Sequence, residues 1–348
     1  MFRRVRYRDL DQVRRIFISA FREEYGRRGV DIGAQVLRWK RLYPLLKGLS
    51  LFPNPYRHTL EMHVWDDQGR LLGFIQTTPG NREQTRWHID FVAVAPEAQG
   101  RGIGRRLVEG VFDTYGARGV KTFTLEVDQD NAPALGFYDK LGFRRYSSTT
   151  YFRADQPPPP DDTAPTVGFR PYRRSDAQPL FQMYTDALPA AVRAVDGRTV
   201  ADFDRTWLDF GASALRRRAH QQDEQRWVLE EHGQLVGYVR VVAQWRELPH
   251  TVHVLALPGR DDLYPRLLAQ AARQLAAFPP RTVLAWGADH TPGKLQALRD
   301  WGLRPFTVDH ALVRDNLITL KLPPQGLDLS RVDDKSFKPA FTQPAAGA

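Results

Sequence analysis

The stretch VAPEAQGRGIGRRLVEG, Val94 to Gly110, places glycines at 100, 102 and 104 between an apolar run and the start of a helical pattern. Glycine serves where the chain needs unusual dihedrals or where something must approach the main chain closely. A helix N-terminus presents unpaired N–H groups and the positive end of the macrodipole. A glycine-rich approach to such an end points to a seat for phosphate.

Three phosphate loops compete for it. A nucleotide P-loop needs GxxxxGK[ST], and no Lys-Ser or Lys-Thr follows. The dinucleotide fingerprint needs glycine at 105, where Arg105 stands, and needs its first glycine at the strand end, whereas Pro96 to Gln99 intervene. Glu126 lies at the distance that fingerprint asks of an acidic residue, but a strand hairpin precedes the loop where the fingerprint needs a βαβ unit. The third form, Q/R-x-x-G-x-G/A, is met by Gln99-Gly100-Arg101-Gly102-Ile103-Gly104 after the apolar FVAVAP and before an amphipathic helix.

This third form resembles the GNAT superfamily of acyl-CoA-dependent N-acetyltransferases over roughly residues 1–153. A second stretch, LEVDQDNAPALGFYDKLGF (Leu125–Phe143), is similar to the LEVRxSNxxAxxLYxxxGF stretch of its N-terminal protein acetyltransferases. The resemblance implies that amides from Gly100 to Arg105, with Gln99, grip the coenzyme A pyrophosphate. It implies that the main chain of Val92, Ala93 and Val94 pairs with the pantetheine arm where two strands splay, and that Asn131 holds the same arm. An N–H near Val92 would meet the carbonyl oxygen. Tyr138, at the family's tyrosine, would be the acid. For the base, Glu126 lies twelve residues before Tyr138, as in the N-terminal acetyltransferase branch; other branches use the fourth strand, where His88 and Asp90 share a face. The acceptor wall falls in residues 25–55, here apolar and aromatic with Trp39 and Tyr43.

The elements around the loop read as mixed α/β: strands near 3–7, 58–65, 71–78, 86–94, 122–127 and 143–152, helices near 9–25, 34–46, 101–116 and 132–141. Much of this recurs. DQGRLLGFIQTT (67–78) matches EHGQLVGYVRVV (231–242), HIDFVAVAP (88–96) matches HTVHVLALP (250–258), and FYDKLGFRRY (137–146) matches ALRDWGLRPF (297–306). A period of about 160 residues means a duplicated domain. The expected architecture is two tandem GNAT-like domains at 1–155 and 167–321. Each would hold a mostly antiparallel six- to seven-stranded sheet with splayed central strands and about four helices. The proline-rich QPPPPDDTAPT (156–166) joins them, and an extension follows at 322–348. At an offset of 160, Gly102 and Gly104 become Asp262 and Tyr264, Glu126 becomes Trp286, and Tyr138 becomes Leu298. The second copy therefore reads as degenerate and non-catalytic, since aspartates at a helix start repel a pyrophosphate.

Composition bounds the rest. The 348 residues, 42% hydrophobic, suffice for two cores. Cysteine is absent and the nine histidines have no ligand spacing, so neither disulfide nor metal is expected. No apolar run approaches the roughly 18 residues of a membrane span, and no signal peptide is visible, so a cytoplasmic location is expected. The net charge of +10 is mostly arginine spread along the chain without a nucleic-acid module. The expected partners are acetyl-CoA and a small-molecule or peptide amine, with no nucleic acid or membrane, for a monomer or homodimer. Protein N-terminal acetylation and non-catalytic sensing of acyl-CoA remain open alternatives.

Overall fold

The computed structural model describes residues 1–27 (backbone alone for 22–27), 61–81, 83–161, 163–204, 222–246 and 248–316. The expected helix at 34–46, most of the acceptor wall with Trp39 and Tyr43, and the extension at 322–348 lie outside the described residues.

The first half runs β1 (Phe2–Arg4), α1 (Leu10–Arg27), β2 (Met62–Asp67), β3 (Arg70–Pro79), β4 (Arg86–Val94), α2 (Ile103–Gly116), β5 (Thr122–Asp128), α3 (Ala132–Asp139) and β6 (Arg144–Ala154). The second repeats the order with β7 (Phe169–Pro171), α4 (Ala177–Asp186), α5 (Ala190–Val195), α6 (Val200–Phe203), β8 (Gln222–Glu231), β9 (Gln234–Gln244), β10 (His250–Ala256), α7 (Tyr264–Leu275), β11 (Val283–Ala288), α8 (Pro292–Asp300) and β12 (Arg304–Asp315). No helix among the described residues is long and apolar enough to cross a membrane.

The duplication is physical as well as textual. Helix α2 buries Ile103, Leu107, Val108, Val111, Phe112 and Tyr115 against its half-sheet. Leu263 and, on α7, Leu267, Leu268, Ala271, Ala272 and Leu275 are buried at the same offset of 160. Another repeat escaped the sequence comparison. Arg3 clamps Asp9 with two bonds of 2.6 and 3.0 Å, and Arg170 clamps Asp176 with two of 2.8 Å. In both halves the carboxylate also accepts a backbone N–H three residues upstream, from Arg6 and Arg173.

The expected class holds: a mixed sheet flanked by helices, built twice. The expected pair of separate sheets is replaced by one. The strands form a continuous twelve-stranded sheet in the order β1-β2-β3-β4-β5-β12-β6-β11-β10-β9-β8-β7. The order is the same read from either end once repeats are equated, so the halves face each other across the β12–β6 pair. Each half ends on a strand that lies in its neighbour: β12 pairs antiparallel with β5 from Asp309–Asp128 to Asp315–Thr122, and β6 with β11 from Ala154–Val283 to Thr149–Ala288. An open sheet edge exposes unpaired main-chain groups, and this exchange covers both β5 and β11.

Candidate active site

Strand β4 meets β5 in parallel over only three residues, Arg86 to His88 against Thr122 to Thr124. Beyond them the strands part, so the expected splay is present. Val92, Ala93 and Val94 stay bonded to β3 opposite Ile75, Phe74 and Gly73, which leaves their other edge facing the gap. The gap is a cleft of about 450 Å³. Its walls include His88, Asp90, Val92, Glu126, Asn131 and Tyr138. Residues up to fifty positions apart in the chain are thus brought to one opening, and all four catalytic candidates are among them.

The glycine turn lies at the N-terminus of α2. Gly100 and Gly102 have φ of +72° and +74°, left-handed values that a side chain resists, and Gly102 is the residue that caps α2. Arg106 N–H donates to the Gly102 carbonyl at 3.1 Å, so the amides ahead of it belong to the unpaired first turn. Gly104 is already helical, and a Cβ there would touch Phe137 and Val94 at an ordinary 3.6 Å. Arg101 and Gln99 are exposed, Arg105 is paired with Glu109 at 2.7 Å, and Ile103 buries its side chain under the sheet. Ile103 and Arg105 thus offer main-chain N–H groups while their side chains are engaged.

At the floor of the cleft the local structure explains each side chain. A bulge opposite Gln76 and Thr77 makes Asp90 an extra residue in β4 and turns it toward the opening. Thr78 Oγ1 donates to Asp90 Oδ1 at 3.0 Å, Gln76 also donates to this carboxylate, and Oδ2 is buried with no partner among the described residues. Burial holds the Asp90 carboxyl above its usual range and the His88 imidazole below its own. His88 Nδ1 lies 3.1 Å from Thr124 Oγ1. Tyr138, on α3, is 9% exposed and stacks edge-on against Phe137 and Phe143. Burial alone pushes its phenol well above the ordinary value, so it keeps its proton at neutral pH. Glu126, on β5, lines the cleft and is exposed.

Asn131 has a second use. Its Oδ1 accepts the Ala134 N–H at 3.1 Å and caps α3, leaving the amide nitrogen for another partner. One wall residue comes from outside the first half and has no counterpart in the sequence expectations. Asp309 comes from β12, so the second half contributes to the first half's cleft. No local sequence signal marks it, because the strand exchange that delivers it is a tertiary event.

Residues 10–143 match the profile of the Acetyltransferase (GNAT) family. The chain carries a GNAT acetyltransferase domain. A mycothiol acetyltransferase of Rhodococcus opacus (strain B4) is 40% identical over 92 residues, 25% of this chain and 30% of that protein. The ribosomal protein bS18-alanine N-acetyltransferase of Escherichia coli (strain K12) is 39% identical over 93 residues, 25% of this chain and 61% of that protein. The matching segment thus spans about a third to three fifths of these curated relatives. A GCN5-related N-acetyltransferase from Sphaerobacter thermophilus superposes over 91% of this chain and 95% of its own with a TM-score of 0.59 at 15% identity. That likeness concerns the fold, and it extends over both halves.

The second half has the same splay with different contents. Strand β10 pairs with β11 only from His250–Val283 to Val252–Ala285. Tyr264, at the position of Gly104, is buried, and Asp262 at the position of Gly102 is held by Arg260 at 3.0 Å. Lys294 takes the place of Ala134 and is buried in the gap.

Proposed function

We propose that the GNAT domain transfers an acetyl group from acetyl-CoA to a primary amine, and that the cleft between β4 and β5 is where it does so. One observation carries this: the gap that exposes the Val92–Val94 edge also gathers His88, Asp90, Glu126 and Tyr138. The left-handed glycine turn belongs to the same unit, at the N-terminus of α2.

The residues fit the co-substrate. Amides from Gly100 to Arg105 would hold the pyrophosphate, because unpaired N–H groups and the helix dipole both favour negative charge. The free edge of Val92 to Val94 would pair with the pantetheine amides as an added strand does, with the Asn131 amide nitrogen beside it. Acetyl-CoA supplies the acetyl group as a thioester. Tyr138 would give its proton to the departing sulfur, and Glu126 would take a proton from the incoming amine, directly or through water. Asp90, whose carboxyl burial holds above its usual range, ranks second as base. The second half would then be non-catalytic, since Asp262, Tyr264 and Lys294 stand where the first half has Gly102, Gly104 and Ala134.

The test is calorimetric titration of acetyl-CoA into the native chain and into a Gly102→Asp, Gly104→Tyr variant that carries the second half's loop. One site in the native chain, lost in the variant, is expected. Two sites would give the second half a coenzyme site of its own, and no binding would sink the proposal. A second reading, acetylation of protein α-amino groups, is favoured by the likeness of Leu125–Phe143 to that branch. Mass spectrometry of products from amines and short peptides offered in parallel separates the two. Coenzyme binding with no thiol released from any amine would instead favour a sensor of acyl-CoA.

A further inference from the structure

A second cavity, of about 260 Å³, crosses the joint between the halves, and its residues come from both. Its floor is a continuous strip of sheet. Glu126 on β5 lies opposite Ala311 on β12, Ala311 opposite Ser147 on β6, and farther along β6 Tyr151 lies opposite Trp286 on β11. Three strand spacings of about 4.8 Å separate β5 from β11, so the strip is about 14 Å wide. Glu126 lines this cavity and also the cleft assigned above to acetyl transfer.

The far end holds Lys294. Its stem runs beside Gly287, where a Cβ would sit 3.6 Å from Lys294 Cδ. The residue is 6% exposed, and no carboxylate among the described residues pairs with it. Arg198 is its charged neighbour and lies over the Tyr184 ring at 4.8 Å. Asp196, also on the wall, accepts the Tyr184 hydroxyl. Burial pushes the His253 imidazole well below its ordinary value and lowers that of His290. An ammonium group buried without a counter-ion is costly, and a bound anion relieves that cost. The cavity thus sets Lys294 and Arg198 toward the β11 end, with Asp196 engaged by Tyr184, and the Glu126 carboxylate at the β5 end.

We propose that this cavity is the acceptor pocket and that it takes an amine carrying a carboxylate, the carboxylate seated against Lys294 and Arg198 and the amine presented to Glu126. The inference rests on the acetyl-transfer reading and names its substrate class. The second half's splay, closed to coenzyme by Lys294, then serves as the specificity element for the first half's chemistry.

The experiment compares unbranched ω-amino acids of about six to about twelve carbons, the reach of the strip, with the n-alkylamines of equal length, reading thiol release from acetyl-CoA. The native chain is expected to prefer the amino acids at some chain length by about tenfold or more in kcat/KM. Lys294→Met keeps the stem, removes the charge, and should bring the ratio to about one through KM, with acetyl-CoA affinity unchanged. Equal use of both series by the native chain, or a preference that Lys294→Met leaves intact, overturns the proposal. If no amine is acetylated, the underlying reading fails separately. The pocket is then judged by direct titration of the ω-amino acids: binding lost in Lys294→Met sustains an anion site, and binding that is absent or unaffected refutes it.

Discussion

Tyr138 and Lys294 show how burial of a single residue turns into a measurable property. The Tyr138 hydroxyl is shifted by desolvation alone, so it remains a proton donor across the working pH range. Tyr138→Phe keeps the ring contacts with Phe137 and Phe143 and removes the proton. It should lower kcat by about 10²–10³ while acetyl-CoA affinity by calorimetry stays within about twofold; unchanged turnover would refute the acid role. Lys294 is pulled from 10.5 down to about 7, first by burial and then by Arg198. The sign follows from linkage: the unfolded chain binds this proton below about pH 10.5 and the folded chain only below about pH 7. The neutral amine's contribution to stability is full above pH 10.5 and is lost as pH falls to 7. Thermal melts of Lys294→Met should therefore run a few degrees above the native chain at pH 7 and converge with it toward pH 10.

At the scale of elements, two glycines fix how closely helices approach the sheet. Gly73 on β3 lies under α2, and a Cβ there would meet the Ala93 carbonyl oxygen at 2.7 Å and Leu107 Cδ1 at 3.0 Å. Gly237 on β9 repeats the arrangement under α7, with Leu267 Cδ2 at 2.7 Å. Gly73→Ala should cost about 1–3 kcal/mol, as overpacking does, read as a lower denaturant midpoint at unchanged slope. Gly102 answers to a different constraint. A Cβ there meets open space, but its φ of +74° disfavours any side chain. Gly102→Ala should lower stability by only about 1 kcal/mol, and a larger loss would mean that the turn carries packing not visible around it.

Over the whole molecule, the exchange of β6 and β12 decides what can be separated. The halves share the β12–β5, β12–β6 and β6–β11 ladders, and polar side chains tie them further, with Ser147 donating to Asp289 at 3.0 Å and Ser148 within 3.0 Å of His310. Cleavage at a protease site engineered into 156–166 should leave the two pieces eluting together on size exclusion under native conditions. Elution as two separate species would mean that the shared sheet does not hold them. Residues 1–155 produced alone should aggregate, because β5 would present an uncovered edge between two apolar layers.

The sequence by itself determined the repeated elements, the class and the glycine turn, because each rests on local chemistry. Strand alternation, the helical spacing of Ile103 to Tyr115 and the demand for positive φ at Gly100 and Gly102 are all written within a few neighbouring residues. The expected strand β4, 86–94, has the observed bounds, and helices α2 and α3 differ from expectation by two residues at one end. The bulge that turns Asp90 into the cleft was not legible, since it depends on how β4 registers against β3. The pairing of each half's last strand with the other half was hidden for a stronger reason. Strand β12 is compatible by pattern with either half, and only the three-dimensional competition for the open edges of β5 and β11 selects its place. That selection brings Asp309 to the first cleft and joins Glu126 to the cavity of Lys294, so the chemistry of one half meets the contents of the other only in the folded chain.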